Sequence, residues 1–232
     1  MFRKISLLVL ALVFVGLNAD AQQLSEADIK SLLAKIAERR ATAPDVYADF
    51  QEQRIMRLMT KPIASSGKIW FHAPNKFRRE VAGNSPSVTA SNGHDLWIYY
   101  PNFKSAEHYT LGKRSPVDAA IAAINTALNL ENVEKTFQIS GSKVDPPSQS
   151  SGAVSKGYAL ALLPRSPSMK RVFQKFDLRL NGDLIAERTE MTQPNGDRVV
   201  TIYSNQTRAA IPAATFEFTP PPGTQTTSPL GR

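Results

Sequence analysis

Between Gly67 and Pro101 the chain alternates bulky aromatics with stops. Gly67-Lys-Ile-Trp70-Phe-His-Ala-Pro74 leads at once into Asn-Lys-Phe77-Arg78-Arg-Glu80. After a short polar gap comes Asn92-Gly93-His-Asp-Leu96-Trp97-Ile-Tyr99-Tyr-Pro101. Two Trp-bearing apolar runs, each stopped by a proline, flank a third that starts at Phe77, and Gly93 marks the turn before the last. Aromatic and β-branched residues suit a half-buried pleated surface, whereas proline removes a ladder donor and glycine weakens a strand. Such a stretch commits the chain to consecutive short antiparallel strands.

The flanking segments extend this reading. Ser25, with Asp28 three residues later, forms a box-like helix start, and Ile29, Leu32, Leu33 and Ile36 recur at helical spacing. Glu38, Arg39 and Arg40 close the polar end, and Pro44 stops continuation. A strand is expected from about Val46 to Met59, with Val46, Ala48 and Phe50 alternating against Tyr47, Asp49 and Gln51. Pro62 and Ser65-Ser66-Gly67 are expected to turn the chain into the Trp70 strand. A second helix begins at Ser115 with Pro116 at its first position, and Val117, Ala120, Ile121, Ile124 and Leu128 form its apolar stripe. Strands resume at Phe137-Gln-Ile139. Further strands are expected over 158–163, 172–180, 184–192 and 198–203, with a last short one at Phe216–Thr219. Asn181-Gly182-Asp183 and Pro194-Asn195-Gly196-Asp197 are hairpin turns. The Pro/Ser/Gly-rich stretch over 145–157 reads as a loop. About ten or eleven strands in hairpin succession with two or three helices predict an α+β fold built on one large antiparallel sheet.

The first 21 residues are set apart. Arg3 and Lys4 precede an apolar run, Ile5 to Leu17, and Ala19-Asp20-Ala21 has the small-residue pattern of a secretory cleavage site. The expected organisation is a removed signal over 1–21, one domain over 22–222 and a disordered tail over 223–232. The chain contains no cysteine, so no lipid can be attached at a cysteine behind the signal. Its net charge of +8 is spread along the strands without a dense basic run. Together with a secretory signal, this argues against nucleic acid and leaves a solvated basic face, with attraction to anionic head groups as the sharper alternative.

No catalytic pattern emerges. There is no Gly-x-Ser-x-Gly elbow, no phosphate-cradling glycine loop and no cysteine nucleophile. His72, His94 and His108 are dispersed without metal-ligand spacing. His94 and Asp95 read as an exposed turn pair. Glu187 and Glu190 are expected on opposite faces of one strand, which defeats a paired-carboxylate mechanism. Neither a catalytic residue, a metal nor a cofactor is expected.

Taken together, the Trp-Pro-Phe strand pair, the turn glycine with its Leu-Trp-x-Tyr-x-Pro strand, and the ending Phe216-Glu217-Phe218-Thr219-Pro220-Pro221-Pro222-Gly223 resemble the LolA family of periplasmic lipoprotein carriers. The resemblance implies a curved, open half-barrel sheet under a helical lid, with a cavity for lipoprotein acyl chains or another lipid. It implies that Phe50, Ile69, Phe71, Phe77, Trp97 and Tyr99 line the cavity from the sheet, and that Val117, Ile121, Ile124 and Leu128 line it from the lid. It also implies a monomer, free in the periplasm. Its partners would be an inner-membrane ABC exporter that supplies cargo and an outer-membrane receptor that accepts it. One departure stands out: the family has an arginine directly before the first proline, and this chain has Ala73. That departure favours one alternative, a carrier of glycolipid or another amphiphile; a separate alternative is a regulatory module of the same fold that senses lipid or protein.

Overall fold

The computed structural model describes residues 22–111, 130, 133–144 and 156–229. Helix α1 (Glu26–Thr42) opens the domain, and its start follows from local chemistry. The Ser25 hydroxyl accepts the Asp28 backbone N–H at 3.1 Å, while the Asp28 carboxylate accepts the Ser25 N–H at 3.1 Å. Ile29, Leu32 and Ile36 form its buried stripe. Two one-turn helices, Val133–Thr136 and Pro167–Lys170, join it against the sheet.

The strands are β1 (Asp45–Ile55), β2 (Ile63–His72), β3 (Lys76–Ala82), β4 (Ser87–Ser91), β5 (Asp95–Tyr100), β6 (Ser105–Thr110), β7 (Phe137–Val144), β8 (Gly157–Pro164), β9 (Lys175–Leu180), β10 (Ala186–Thr192), β11 (Arg198–Thr207) and β12 (Gln225–Thr227). They form one sheet in the order β12-β6-β5-β4-β3-β2-β1-β11-β10-β9-β8-β7. All neighbours are antiparallel except β12, which runs parallel to β6. Two meanders, β1 to β6 and β7 to β11, are therefore joined side by side where β1 meets β11. The terminal strands β12 and β7 do not pair, so the fold is α+β with an open, unclosed sheet.

Strand register sorts the side chains into two faces. Leu160, Leu162, Phe176, Leu178 and Leu180 share a core with Ile29, Leu32 and Ile36 of α1. That helix-covered side is the inner face. Pairing carries it across the sheet: Leu178 opposes Thr189, Thr189 opposes Thr201, Thr201 opposes Glu52, and Phe50 opposes Tyr203 on one side and Gly67 on the other. Phe71 opposes Val46 and Phe77, and Phe77 opposes Ser91, which opposes Leu96.

Several expectations change. Ser65-Ser66-Gly67 lie within β2, and the turn falls earlier, after Ile55. Gly67 is a glycine because of crowding and not of turning: a Cβ there would sit 1.8 Å from the Glu80 carbonyl oxygen and 2.9 Å from the Phe50 ring. Phe216–Thr219 is not a strand. Ala213–Phe216 makes a 3-10 turn, and the sheet instead gains Gln225–Thr227, in the stretch expected to be disordered. A bulge between Ala186 and Arg188 breaks the alternation of β10. It brings Glu187 to within 3.5 Å of the Arg179 guanidinium, so Glu187 and Glu190 share the outer face. Residues 1–21, the expected helix carrying Val117, Ile121, Ile124 and Leu128, and residues 145–155 lie outside the described residues.

Candidate functional site

At the C-terminal end of α1, the inner face and the helix do not quite close. A cavity of about 70 Å³ remains, walled by Val46 and Ala48 of β1, Ile69 and Phe71 of β2, Ala186 of β10 and Tyr203 of β11. The walls are apolar because every second residue of the joined strands faces inward. Alternation supplies Val46 and Ala48 from β1, and the antiparallel register sets Phe71 and Ile69 directly opposite them. Tyr203 contributes its ring, and its hydroxyl lies 3.3 Å from that of Thr189. Burial pushes the Tyr203 phenol above its ordinary range.

Two arginines complete the lining, Arg40 from the last turn of α1 and Arg208 just beyond β11. Burial, aided by the Arg208 charge, draws the Arg40 guanidinium down to about 10. Arg208 is lowered too, by burial first and then by Arg39, with Asp183 opposing. Its Nη1 donates to the Ala43 carbonyl at 3.3 Å and its Nη2 to the Asp183 carbonyl at 3.3 Å. Its Nε is buried without an acceptor.

Farther along β1 the inner face turns polar. The Arg79 guanidinium lies 4.2 Å above the Phe50 ring and donates to Glu52 at 2.8 Å, a cation–π contact with a carboxylate behind it. Arg54 reaches the other Glu52 oxygen at 3.3 Å. This end opens into a basin of about 830 Å³ edged by Glu52, Arg54, Ser65, Arg79 and Ser87. The basin is larger than the pocket, but ion pairs floor it. The smaller pocket is the apolar one.

The six sheet residues expected in the cavity therefore divide. Phe50, Ile69, Phe71 and Phe77 lie on the inner face, and Ile69 and Phe71 line the pocket itself. Trp97 and Tyr99 do not belong with them. On β5 it is Leu96 that continues the inner face and is buried, so its neighbours of opposite parity point outward. Trp97 stacks on His108 with ring centroids 4.2 Å apart, and Phe218 packs on Trp97 at 6.0 Å and on Tyr99 at 5.6 Å. The segment from Ile211 to Phe218 is a strap across the outer face. The Ile211 N–H donates to Asp45 at 3.1 Å, Arg78 to the Thr215 carbonyl at 3.4 Å and Asn92 to Glu217 at 3.0 Å, and the Phe216 ring is buried near His72.

Both histidine–carboxylate pairs belong to this outer face. His72 meets Asp45 at 2.8 Å, and His108 meets Asp95 at 2.7 Å, so Asp95 pairs with His108 and not with its neighbour His94. Among the described residues, no group of three or more His, Cys, Asp or Glu side chains could hold a metal. None of their helices is long and apolar enough to cross a membrane. The sequence assigns no site role to Tyr203, Arg40 or Arg208. Alternation along β11 could have found Tyr203, whereas an isolated arginine beyond a strand carries no signature.

Comparison with known proteins agrees with this architecture. The chain is 28% identical over 179 residues to the outer-membrane lipoprotein carrier protein of Dechloromonas aromatica, covering 76% of this chain and 77% of that protein. It is 28% identical over 217 residues to the protein of the same description from Bordetella avium, covering 90% and 92% respectively. A crystal structure of an uncharacterized conserved protein from Thermus thermophilus shares the fold, with a TM-score of 0.53 at 11% identity, over 86% of this chain and 98% of that one. Residues 42–219 match the family described as "Outer membrane lipoprotein carrier protein LolA". The chain belongs to the LolA family of outer membrane lipoprotein carrier proteins.

Proposed function

We propose that this protein is a non-catalytic periplasmic carrier that takes acyl chains of lipoproteins into its inner-face pocket and moves them between membranes. The observation that carries the reading is the apolar pocket between α1 and the inner face of an unclosed sheet. Residues 1–21 would direct secretion, and a chain without cysteine would remain unanchored by lipid. Cargo would come from an inner-membrane ABC exporter and pass to an outer-membrane receptor.

The resting pocket is too small for its cargo. A cavity of roughly 150 Å³ holds a benzene molecule, and ligand sites commonly span about 300–1,000 Å³, so a pocket of about 70 Å³ must widen to admit an acyl chain. Widening also keeps cargo releasable. At about 0.8 kcal/mol per methylene, complete burial of three chains of about 16 carbons would give roughly 35 kcal/mol, beyond the ceiling of about 18–21 kcal/mol for non-covalent binding. A working carrier buries its chains partially and offsets the gain by the work of opening.

Native mass spectrometry of protein taken from the periplasm without detergent tests this reading. A stoichiometric complex with a triacylated lipoprotein supports it. Bound free lipid moves the assignment to a carrier of another amphiphile, the reading that Ala73 in place of the family arginine favours. An empty protein that also fails to bind a fluorescent fatty acid overturns carriage and leaves a regulatory module.

A further inference from the structure

The apolar pocket is cationic at one end. Arg40 and Arg208 both line it, and Arg39 is near enough to act on Arg208. Gathering like charges against apolar walls is unfavourable, because burial penalises the charged form and guanidinium does not readily lose its proton. The negative end of the α1 dipole and the charge of Asp183 offset part of that penalty. They do not supply an acceptor for the Arg208 Nε, which is buried and unpaired while both Nη atoms hold backbone carbonyls. Arg208 lines an apolar slot and keeps one donor unused, and once the slot widens such a guanidinium fork matches the oxygens of a carboxylate or phosphate.

We infer that this end of the pocket binds the anionic head of an amphiphile, a carboxylate or a phosphate, while its tail follows Val46 and Ala48 along β1 toward Phe50. The inference rests on the carrier reading for the tail and adds the chemistry of the head. Apolar walls alone would accept any acyl chain, whereas the arginines make the site discriminate between heads on the same chain.

Displacement of the neutral dye Nile red from the full chain, by palmitate and by 1-hexadecanol, tests it. The two competitors share a tail and differ in the head. Palmitate is expected to bind roughly ten- to a hundredfold more tightly, the range for hydrogen bonds to a charged group. Arg208→Gln and Arg40→Gln should each narrow that gap while leaving hexadecanol affinity within about twofold, and Arg208→Lys should restore part of it. Equal affinities in the unmodified protein overturn the head-group site and leave carriage intact. Failure of Nile red and both competitors to bind overturns carriage itself. If Arg208→Gln weakens both competitors equally, the arginine only props Ala43 and Asp183 and the inference fails. If inorganic phosphate raises the melting temperature through Arg208 but palmitate has no advantage over hexadecanol, the arginines hold a free anion and the inference fails again.

Discussion

The two meanders of the sheet differ in what packs on their outer faces. Across β7 to β10 the packing is on the inner face, where Phe137, Leu160, Leu162 and Leu178 close against Ile29, Leu32 and Ile36 of α1. That core cluster contains no residue of β1 to β6. There the strap lays Phe216 and Phe218 over His72, Trp97 and Tyr99 on the outer face, while Phe50 and Phe71 are buried on the inner one. The first meander is thus packed on both faces, yet where it joins the second, between β2 and β10, the inner face keeps a pocket.

Substitutions can break or sharpen this contrast. The largest effect is expected from Phe137→Ala, which empties a fully buried site in the core and should lower stability by about 3–5 kcal/mol in urea unfolding. Gly67→Ala comes next. Its new methyl has nowhere to go between the Glu80 carbonyl and the Phe50 ring, so a loss of about 2–3 kcal/mol is expected. A neutral result would mean that β2 and β3 separate easily. Phe77→Glu should change stability by only about 1 kcal/mol yet weaken fatty-acid binding about tenfold, whereas Trp97→Glu should loosen the strap and leave fatty-acid affinity unaltered. If Trp97→Glu abolishes binding and Phe77→Glu does not, the assignment of faces is reversed.

The smallest effect concerns the start of α1. The Ser25 hydroxyl and backbone N–H hold the Asp28 carboxyl below its ordinary value. Its stabilising contribution is therefore present above the unfolded carboxylate value of about 4 and is lost as pH falls through the lower folded value. The melting temperatures of the unmodified protein and Asp28→Asn should differ near neutrality and converge in acid. A gap that persists at low pH would detach the cap from the ionised carboxylate.

What was legible in the sequence was local. The Ser25–Asp28 cap and the Asn195-Gly196 turn, with Gly196 at φ +84°, depend on neighbours in the chain. The succession of hairpins followed from alternation and stops. The facing of β5 did not, because parity is set by pairing with β4 and β6. The family resemblance implies that Trp97 and Tyr99 point inward, but the register gives that face to the slimmer Leu96. Phe216-Glu-Phe-Thr has the alternation of a strand yet serves as a strap, since alternating apolar residues suit any extended segment lying on a surface. The pocket joins elements distant in sequence, from Arg40 to Arg208, and no short motif encodes such a meeting.

An unclosed sheet has one more consequence. In a closed barrel, strand number and stagger fix the diameter. Here no hydrogen bonds tie β7 to β12, so the curvature can relax without breaking a single ladder. Interior volume could then vary like the gap of a leaf spring, with what lies inside it. Such a carrier would measure its cargo by the bending it demands, and the stiffness of twelve paired strands would be as much a determinant of release as any side chain.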